Sequence, residues 1–100
     1  MTYPLALLLT LVIELPIVLG LAGRRAVPTA VALNLVTHPL LWLAMLRFGV
    51  GLWTAEAAVV AAEAIGYRFV AGLTAGRAAG ISFLANGLSL AIGLALSSWW

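Results

Sequence analysis

The sequence predicts an all-α integral membrane protein, folded as a four-helix transmembrane bundle. Of its 100 residues, 65% are hydrophobic and only 8% are charged, and the mean hydropathy is +1.19. Soluble domains contain about 25% charged residues, so lipid must be the solvent for most of this surface. The apolar residues also fall into runs of about 20, the length that an α-helix needs to cross the hydrocarbon core of a bilayer.

The apolar runs define one domain, residues 1–100, with four predicted spans at residues 5–22, 27–46, 51–70 and 78–98. The breaks between them are short and contain glycine and arginine, so neighbouring helices must form antiparallel hairpins. The first run has no basic leading segment and carries Glu14 within it. We therefore predict a retained first helix and not a cleaved signal peptide.

The basic residues predict the orientation of the bundle. The chain has five arginines and no lysine. Arg47 lies on one side of the predicted bundle, and the other side carries Arg24, Arg25, Arg68 and Arg77. The positive-inside rule then places both termini outside the cell membrane. The wealth of alanine, glycine and arginine without lysine also indicates a bacterial gene.

Aromatic residues fit the same orientation. We expect Tyr67 at the inner interface, where amphipathic rings are enriched, and at the outer interface Tyr3, Trp53, Trp99 and Trp100. The arginines form no basic face, so nucleic acid is not an expected partner.

The two predicted hairpins resemble each other, which suggests an internal repeat. Asn34 follows Arg25 by nine residues, and Asn86 follows Arg77 by nine residues. The other matched pairs are Thr37 with Ser89 and Glu14 with Glu63. Two spans per copy would relate the hairpins by an axis along the membrane normal, a parallel repeat. Chance similarity between apolar hairpins is the alternative, and His38 has no polar counterpart.

Each predicted span carries polar residues at membrane depth. The candidates for binding a cation or a proton are Glu14, Asn34, His38, Glu56, Glu63, Asn86 and Ser89. At about 1.5 Å rise per residue, most of them lie about 10–16 Å from the cytoplasmic end of their helix, and Glu56 lies nearer the outer face. A charged side chain at the centre of a membrane helix costs about 2.5–3.5 kcal/mol. We therefore expect these groups to face a shared interior.

His38 leaves two structural hypotheses open. Its imidazole is expected to hydrogen-bond to Glu14 or Glu63, or all three side chains ligate a metal ion, since mixed nitrogen and oxygen donors suit several metals. The chain has no cysteine, which excludes iron–sulfur and thiol chemistry. No catalytic or nucleotide-binding motif is present, so we predict no enzyme, and no cofactor is indicated.

Two functions remain compatible with this pattern. One is a small carrier or channel for a cation or a proton. The other is a structural or regulatory subunit of a larger membrane complex, in which the polar residues fix helix packing. The lipid bilayer is the expected partner in both cases, together with further copies or other subunits in the second.

Overall fold

The computed structural model describes residues 3–97, with side chains for residues 4–96, and these residues form four α-helices. The helices are α1 (Tyr3–Ala22), α2 (Val27–Phe48), α3 (Leu52–Phe69) and α4 (Ala75–Ser97), and a short 3-10 helix covers Arg24–Ala26. The all-helical architecture is therefore as predicted. The largest difference lies in α4, which begins at Ala75 where the apolar run predicted a start at residue 78.

The helix ends follow from local chemistry. Pro28 lies in the first turn of α2, where its missing N–H removes no helical hydrogen bond. The same helix ends at Gly49, which adopts φ 66° and donates its N–H to the carbonyl of Ala44. This left-handed conformation suits glycine and reverses the chain toward α3 within three residues.

The helices form a closed ring in which each packs against its neighbours in the chain and α1 packs against α4. One end of the bundle contains the α1–α2 and α3–α4 connections, and we call it the arginine end. The other contains the α2–α3 connection and the chain termini, and we call it the termini end. The helices alternate in direction between these two ends.

The bundle buries polar groups beside apolar ones and exposes many large apolar side chains. On α1 the residues Thr10, Glu14 and Val18 recur at intervals of four and are buried. The exposed side of the bundle instead carries large apolar side chains such as Leu46 and Phe69, with exposures of 75% and 76%. A soluble helical bundle shows the reverse pattern, with an apolar core and a polar surface.

Three helical segments are long and apolar enough to cross a membrane: Pro4–Ala22, Arg24–Phe48 and Ala75–Leu96. Among the described helices, α3 falls outside this group. Its 18 residues include Glu56, Glu63 and Arg68, so its composition alone is too polar. Glu63 of this helix is fully buried against its neighbours, whereas Glu56 is half-buried.

Buried apolar residues form a cluster toward each end of the bundle, and the larger of the two described clusters lies at the arginine end. Val18, Tyr67 and Ile81 belong to one buried apolar cluster there. A Cβ atom on Gly66 would lie 2.5 Å from Cδ2 of Leu33, so the glycine permits the close approach of α3 to α2.

The structure corrects one expectation about the aromatic residues. Tyr67 is fully buried, with 0% exposure, and so is not an interfacial anchor. It lies one turn beyond Glu63 on the same inward face of α3, and packing against the apolar cluster encloses it. Trp53 is exposed as expected. The side chain of Tyr3 and residues Trp99 and Trp100 lie outside the described part of the chain.

Candidate functional site

Polar side chains from all four helices meet inside the bundle. The buried polar residues are Thr10, Glu14, Asn34, Thr37, His38, Glu63, Ser82 and Asn86. Among the sequence candidates, we call the group Glu14, Asn34, Glu63, Asn86 and Ser89 the polar layer. Helical spacing aims these side chains inward, because each lies on the buried stripe of its helix.

The carboxyl group of Glu14 has protein partners on two other helices. Asn34 Nδ2 on α2 donates to its Oε1 at 3.5 Å, and the Ser89 hydroxyl on α4 lies 3.1 Å from its Oε2. The same hydroxyl also lies 3.1 Å from the carbonyl oxygen of Asn86. Glu14 therefore connects α1 with both of its neighbours in the ring.

Glu63 has no such partners. It is fully buried, and both of its carboxyl oxygens lack a hydrogen-bond partner among the described residues. The Asn86 side chain lies beside it without completing a hydrogen bond, and Glu14 is close enough to interact with it electrostatically. A buried carboxyl group without a partner is costly, so Glu63 has unused capacity to bind a proton or a cation.

Further unpartnered oxygen atoms lie on α2 and on α3 itself. Within the described chain, they are Oδ1 of Asn34, Oγ1 of Thr37 and the hydroxyl of Tyr67. Each of these three residues is buried. The α2–α3 side of the layer thus presents several oxygen atoms without a protein donor or acceptor.

The two asparagines are held in the same way. Asn34 Nδ2 donates to the carbonyl of Ala30 at 2.8 Å, and Asn86 Nδ2 donates to the carbonyl of Ser82 at 2.9 Å. In both helices the acceptor is four residues earlier. This hydrogen bond uses one amide hydrogen and leaves each amide oxygen directed elsewhere.

His38 and Glu56 lie on the side of the polar layer that faces the termini end, and Glu56 is close enough to interact electrostatically with Glu14 and Glu63. Together with Thr10 and Ser89 they line a cavity of about 180 Å³, which we call the termini-end cavity. His38 lies one helical turn beyond Asn34, which carries its imidazole past the level of the buried glutamates. Ser89 belongs to both features, because its hydroxyl also bonds to Glu14.

The expected hydrogen bond from His38 to a glutamate is wrong. His38 Nε2 is buried without a partner, and neither oxygen of Glu63 has one, while Glu14 bonds to Asn34 and Ser89. Over residues 3–97, no three His, Cys, Asp or Glu side chains are grouped to hold a metal ion. The proposed metal ligands Glu14, His38 and Glu63 are therefore not brought together as a group.

Sequence reasoning missed the inward position of one buried polar group, Tyr67. Thr37, Ser82 and Tyr67 are buried in the same interior, and the Ser82 hydroxyl donates to the carbonyl of Val60 at 2.7 Å, joining α4 to α3. The interval of four residues from Glu63 to Tyr67 was the available signal for the tyrosine. Its aromatic ring near a predicted helix end favoured the interfacial interpretation instead.

Comparison of the chain with family models, curated proteins and solved structures finds no match. Its function must therefore be inferred from the residues and their geometry.

Proposed function

We propose that this chain is a multi-pass membrane protein that carries or conducts a proton or a small cation through its polar layer. The membrane location is supported by the apolar exposed surface and by three helices of sufficient length and hydropathy. We include α3 as a fourth span, because its glutamates face the interior that the other helices enclose. Both termini would lie outside, with the arginine end in the cytoplasm.

Glu63 is the observation that carries the proposal. Its carboxyl group is fully buried, has no hydrogen-bond partner among the residues that the structure describes, and lies within electrostatic range of Glu14. All five arginines are exposed, so none of them balances the buried acids. A bound proton or cation would supply that positive charge where the dielectric constant is low and electrostatic attraction is strong.

The donor atoms favour a hard cation or a proton over a transition metal. The unpartnered atoms of Glu63, Asn34, Thr37 and Tyr67 are all oxygens, and carboxyl, amide and hydroxyl oxygens suit hard cations. The only imidazole in the chain, that of His38, lies with Glu56 at the termini-end cavity.

The two ends of the bundle differ in a way that suits a carrier. At the termini end, Ser89 connects the cavity to Glu14 through its hydroxyl. At the arginine end, Val18, Tyr67 and their neighbours form the larger of the two described apolar clusters, and the smaller one lies at the termini end on the α2–α3 side. An ion could therefore approach the layer from one side while the other is closed, as alternating access requires.

The internal repeat would supply the second state of such a carrier. Glu14 and Glu63 are both fully buried, and Asn34 and Asn86 bond to the carbonyl four residues earlier in each hairpin. We propose that an axis along the membrane normal relates the two hairpins. If the two hairpins exchanged conformations, access to the polar layer would change from one end of the bundle to the other.

Flux measurements test the proposal. We expect the purified chain in liposomes to accelerate the collapse of a proton or Na⁺ gradient, followed by an entrapped pyranine or sodium dye. Glu63→Gln should reduce this flux to that of protein-free liposomes, while Thr54→Val, an exposed change on the same helix, should not. Equal flux from wild type and Glu63→Gln would contradict the ion-carrier proposal.

Orientation has a separate test, since the chain contains no native cysteine. A cysteine placed at Arg47 should react with an impermeant maleimide added to intact cells. A cysteine placed at Arg24 or Arg77 should react only after lysis. Labelling of position 24 or 77 from outside would reverse the orientation.

A structural or regulatory subunit is the second candidate. It is favoured by the exposed face of α3, which presents the small residues Ala57, Ala58, Ala61 and Ala62. Small side chains allow two membrane helices to approach closely. In that case the polar layer only fixes packing, Glu63→Gln is tolerated, and the chain should migrate with partner subunits when extracted in mild detergent.

A further inference from the structure

A lateral groove lies between α3 and α4 on the outside of the bundle. Its volume is about 500 Å³, within the range of about 300–1,000 Å³ typical of small-molecule sites. The residues that determine its chemistry are Trp53, Glu56, Phe83, Asn86, Gly87 and Ala91. In the proposed membrane location, this groove opens sideways into lipid.

The groove combines aromatic rings with one acidic group. Trp53 and Phe83 are each 71% exposed and lie on opposite helices of the groove, while Gly87 and Ala91 leave space between them. Glu56 is the only ionisable residue of the lining. Aromatic faces and a carboxylate both attract cations, most strongly where water is scarce.

We propose that this groove binds a lipophilic organic cation that enters from the membrane, with Glu56 as its charge partner. The mostly apolar lining does not suit a small inorganic cation, which requires several oxygen ligands. A neutral lipid chain would fill the space but would make no use of the carboxyl group. The proposal goes beyond ion transport: it needs only the membrane location of α3 and α4, and no movement of ions through Glu63.

Glu56 also connects the groove with the interior. It lines the termini-end cavity together with His38 and Ser89, and Asn86, in the groove wall, lies beside Glu63. A cation held at Glu56 would therefore lie next to the entrance of the polar layer. A cation bound in the groove should therefore change the charge of the polar layer through Glu56, and the charge of the layer should change the affinity of the groove.

Binding of tetraphenylphosphonium to the purified full chain in detergent tests the proposal. Isothermal titration should give saturable binding of one ion per chain. Tetraphenylborate, which has nearly the same shape and the opposite charge, should bind at least about tenfold more weakly. Equal affinity for the two ions would overturn the proposal and leave a groove that accepts any apolar occupant.

Two variants locate the site. Glu56→Gln should weaken tetraphenylphosphonium binding by about tenfold, and Gly87→Leu should abolish it by filling the groove. Gly80→Leu is the matched control on α4: a Cβ atom at Gly80, as at Gly87, meets nothing within 4 Å, and position 80 lies outside the groove. Melting curves establish that each variant is folded.

The outcomes separate this proposal from the ion-carrier proposal. Glu63→Gln removes the carboxyl group of the polar layer but leaves the groove, so it should keep tetraphenylphosphonium binding whatever happens to ion flux. Binding that survives both Glu56→Gln and Gly87→Leu would overturn the groove site, even if Glu63 still proved essential for flux.

Discussion

The two hairpins carry the same kinds of polar residue, but their glutamates differ in how far the protein satisfies them. Glu14 in the first hairpin has hydroxyl and amide partners at 3.1 and 3.5 Å, whereas Glu63 in the second has none. The first hairpin also consists of two helices that qualify as membrane spans, while α3 of the second does not. The difference indicates that Glu63 has more capacity left for a ligand than Glu14 has.

The largest expected effect is the difference between Glu63→Gln and Glu14→Gln in stabilisation by a bound cation. A ligand present at 100 times its Kd stabilises a protein by about 2.7 kcal/mol. We expect Glu63→Gln to lose all of the stabilisation that Na⁺ or another bound cation contributes. Glu14→Gln should lose only part of it, because the amide oxygen of a glutamine at position 14 can accept from Asn34 while its amide nitrogen donates to the Ser89 hydroxyl.

Melting curves with and without mono- and divalent cations measure this contrast. If Glu14→Gln loses more of the cation-induced stabilisation than Glu63→Gln, the assignment of the free binding capacity to the second hairpin is contradicted. Identical curves for wild type and both variants would remove the carrier proposal and favour the structural subunit.

Close packing of the second hairpin gives the next largest effect. Gly66→Ala should reduce the free energy of unfolding by about 1–3 kcal/mol, since the new methyl group overlaps Leu33. Gly80→Ala is the control, because its Cβ meets nothing within 4 Å, and it should be neutral or stabilising by about 0.5–1 kcal/mol. Denaturant titration in mixed micelles gives both values. A Gly66→Ala variant as stable as Gly80→Ala would show that α2 and α3 are not held this closely.

The hydroxyl groups of Thr37 and Ser89, which occupy matched positions in the two hairpins, provide a second comparison of stability. Ser89→Ala removes a hydrogen bond to Glu14 and should lower the free energy of unfolding by about 0.6 kcal/mol, the average for such bonds in membrane proteins. Thr37→Val removes a hydroxyl that has no partner and should leave stability unchanged or slightly higher. The same titration measures both. Equal losses of unfolding free energy would show that Thr37 donates a hydrogen bond to Glu63 in the membrane, as Ser89 does to Glu14.

Tyr67→Phe should have the smallest effect on stability, within about 0.5 kcal/mol. The Tyr67 hydroxyl is buried without a partner among the described residues, so its removal breaks no hydrogen bond within the protein. The phenylalanine ring would keep the apolar contacts. Loss of cation-induced stabilisation in this variant, with the basal melting temperature unchanged, would assign the hydroxyl to the ion site. A loss above about 1 kcal/mol would mean that the hydroxyl has a structural partner.

Much of the interior could be predicted because a membrane helix leaves few positions for a polar side chain. Spacing alone identified Glu14, Asn34, Glu63 and Asn86 as inward-facing, and all four are buried. For His38, helical spacing predicted the correct face but not the partners of the side chain. It shares a helical face with Asn34, but its depth decides that it meets Glu56 at the termini-end cavity and not the two buried glutamates.

Four helices, their approximate ends and an interior lined with polar groups could all be predicted from the amino-acid sequence. These properties depend on hydropathy, helical period and glycine-containing connections, which act over a few residues. Packing of the helices was needed to show that Ser89 and Asn34 bond to Glu14, that Glu63 has no partner among the described residues, and that Tyr67 is enclosed. Such pairings depend on how far each helix is rotated and shifted against its neighbours, and that is set by contacts between residues distant in the chain.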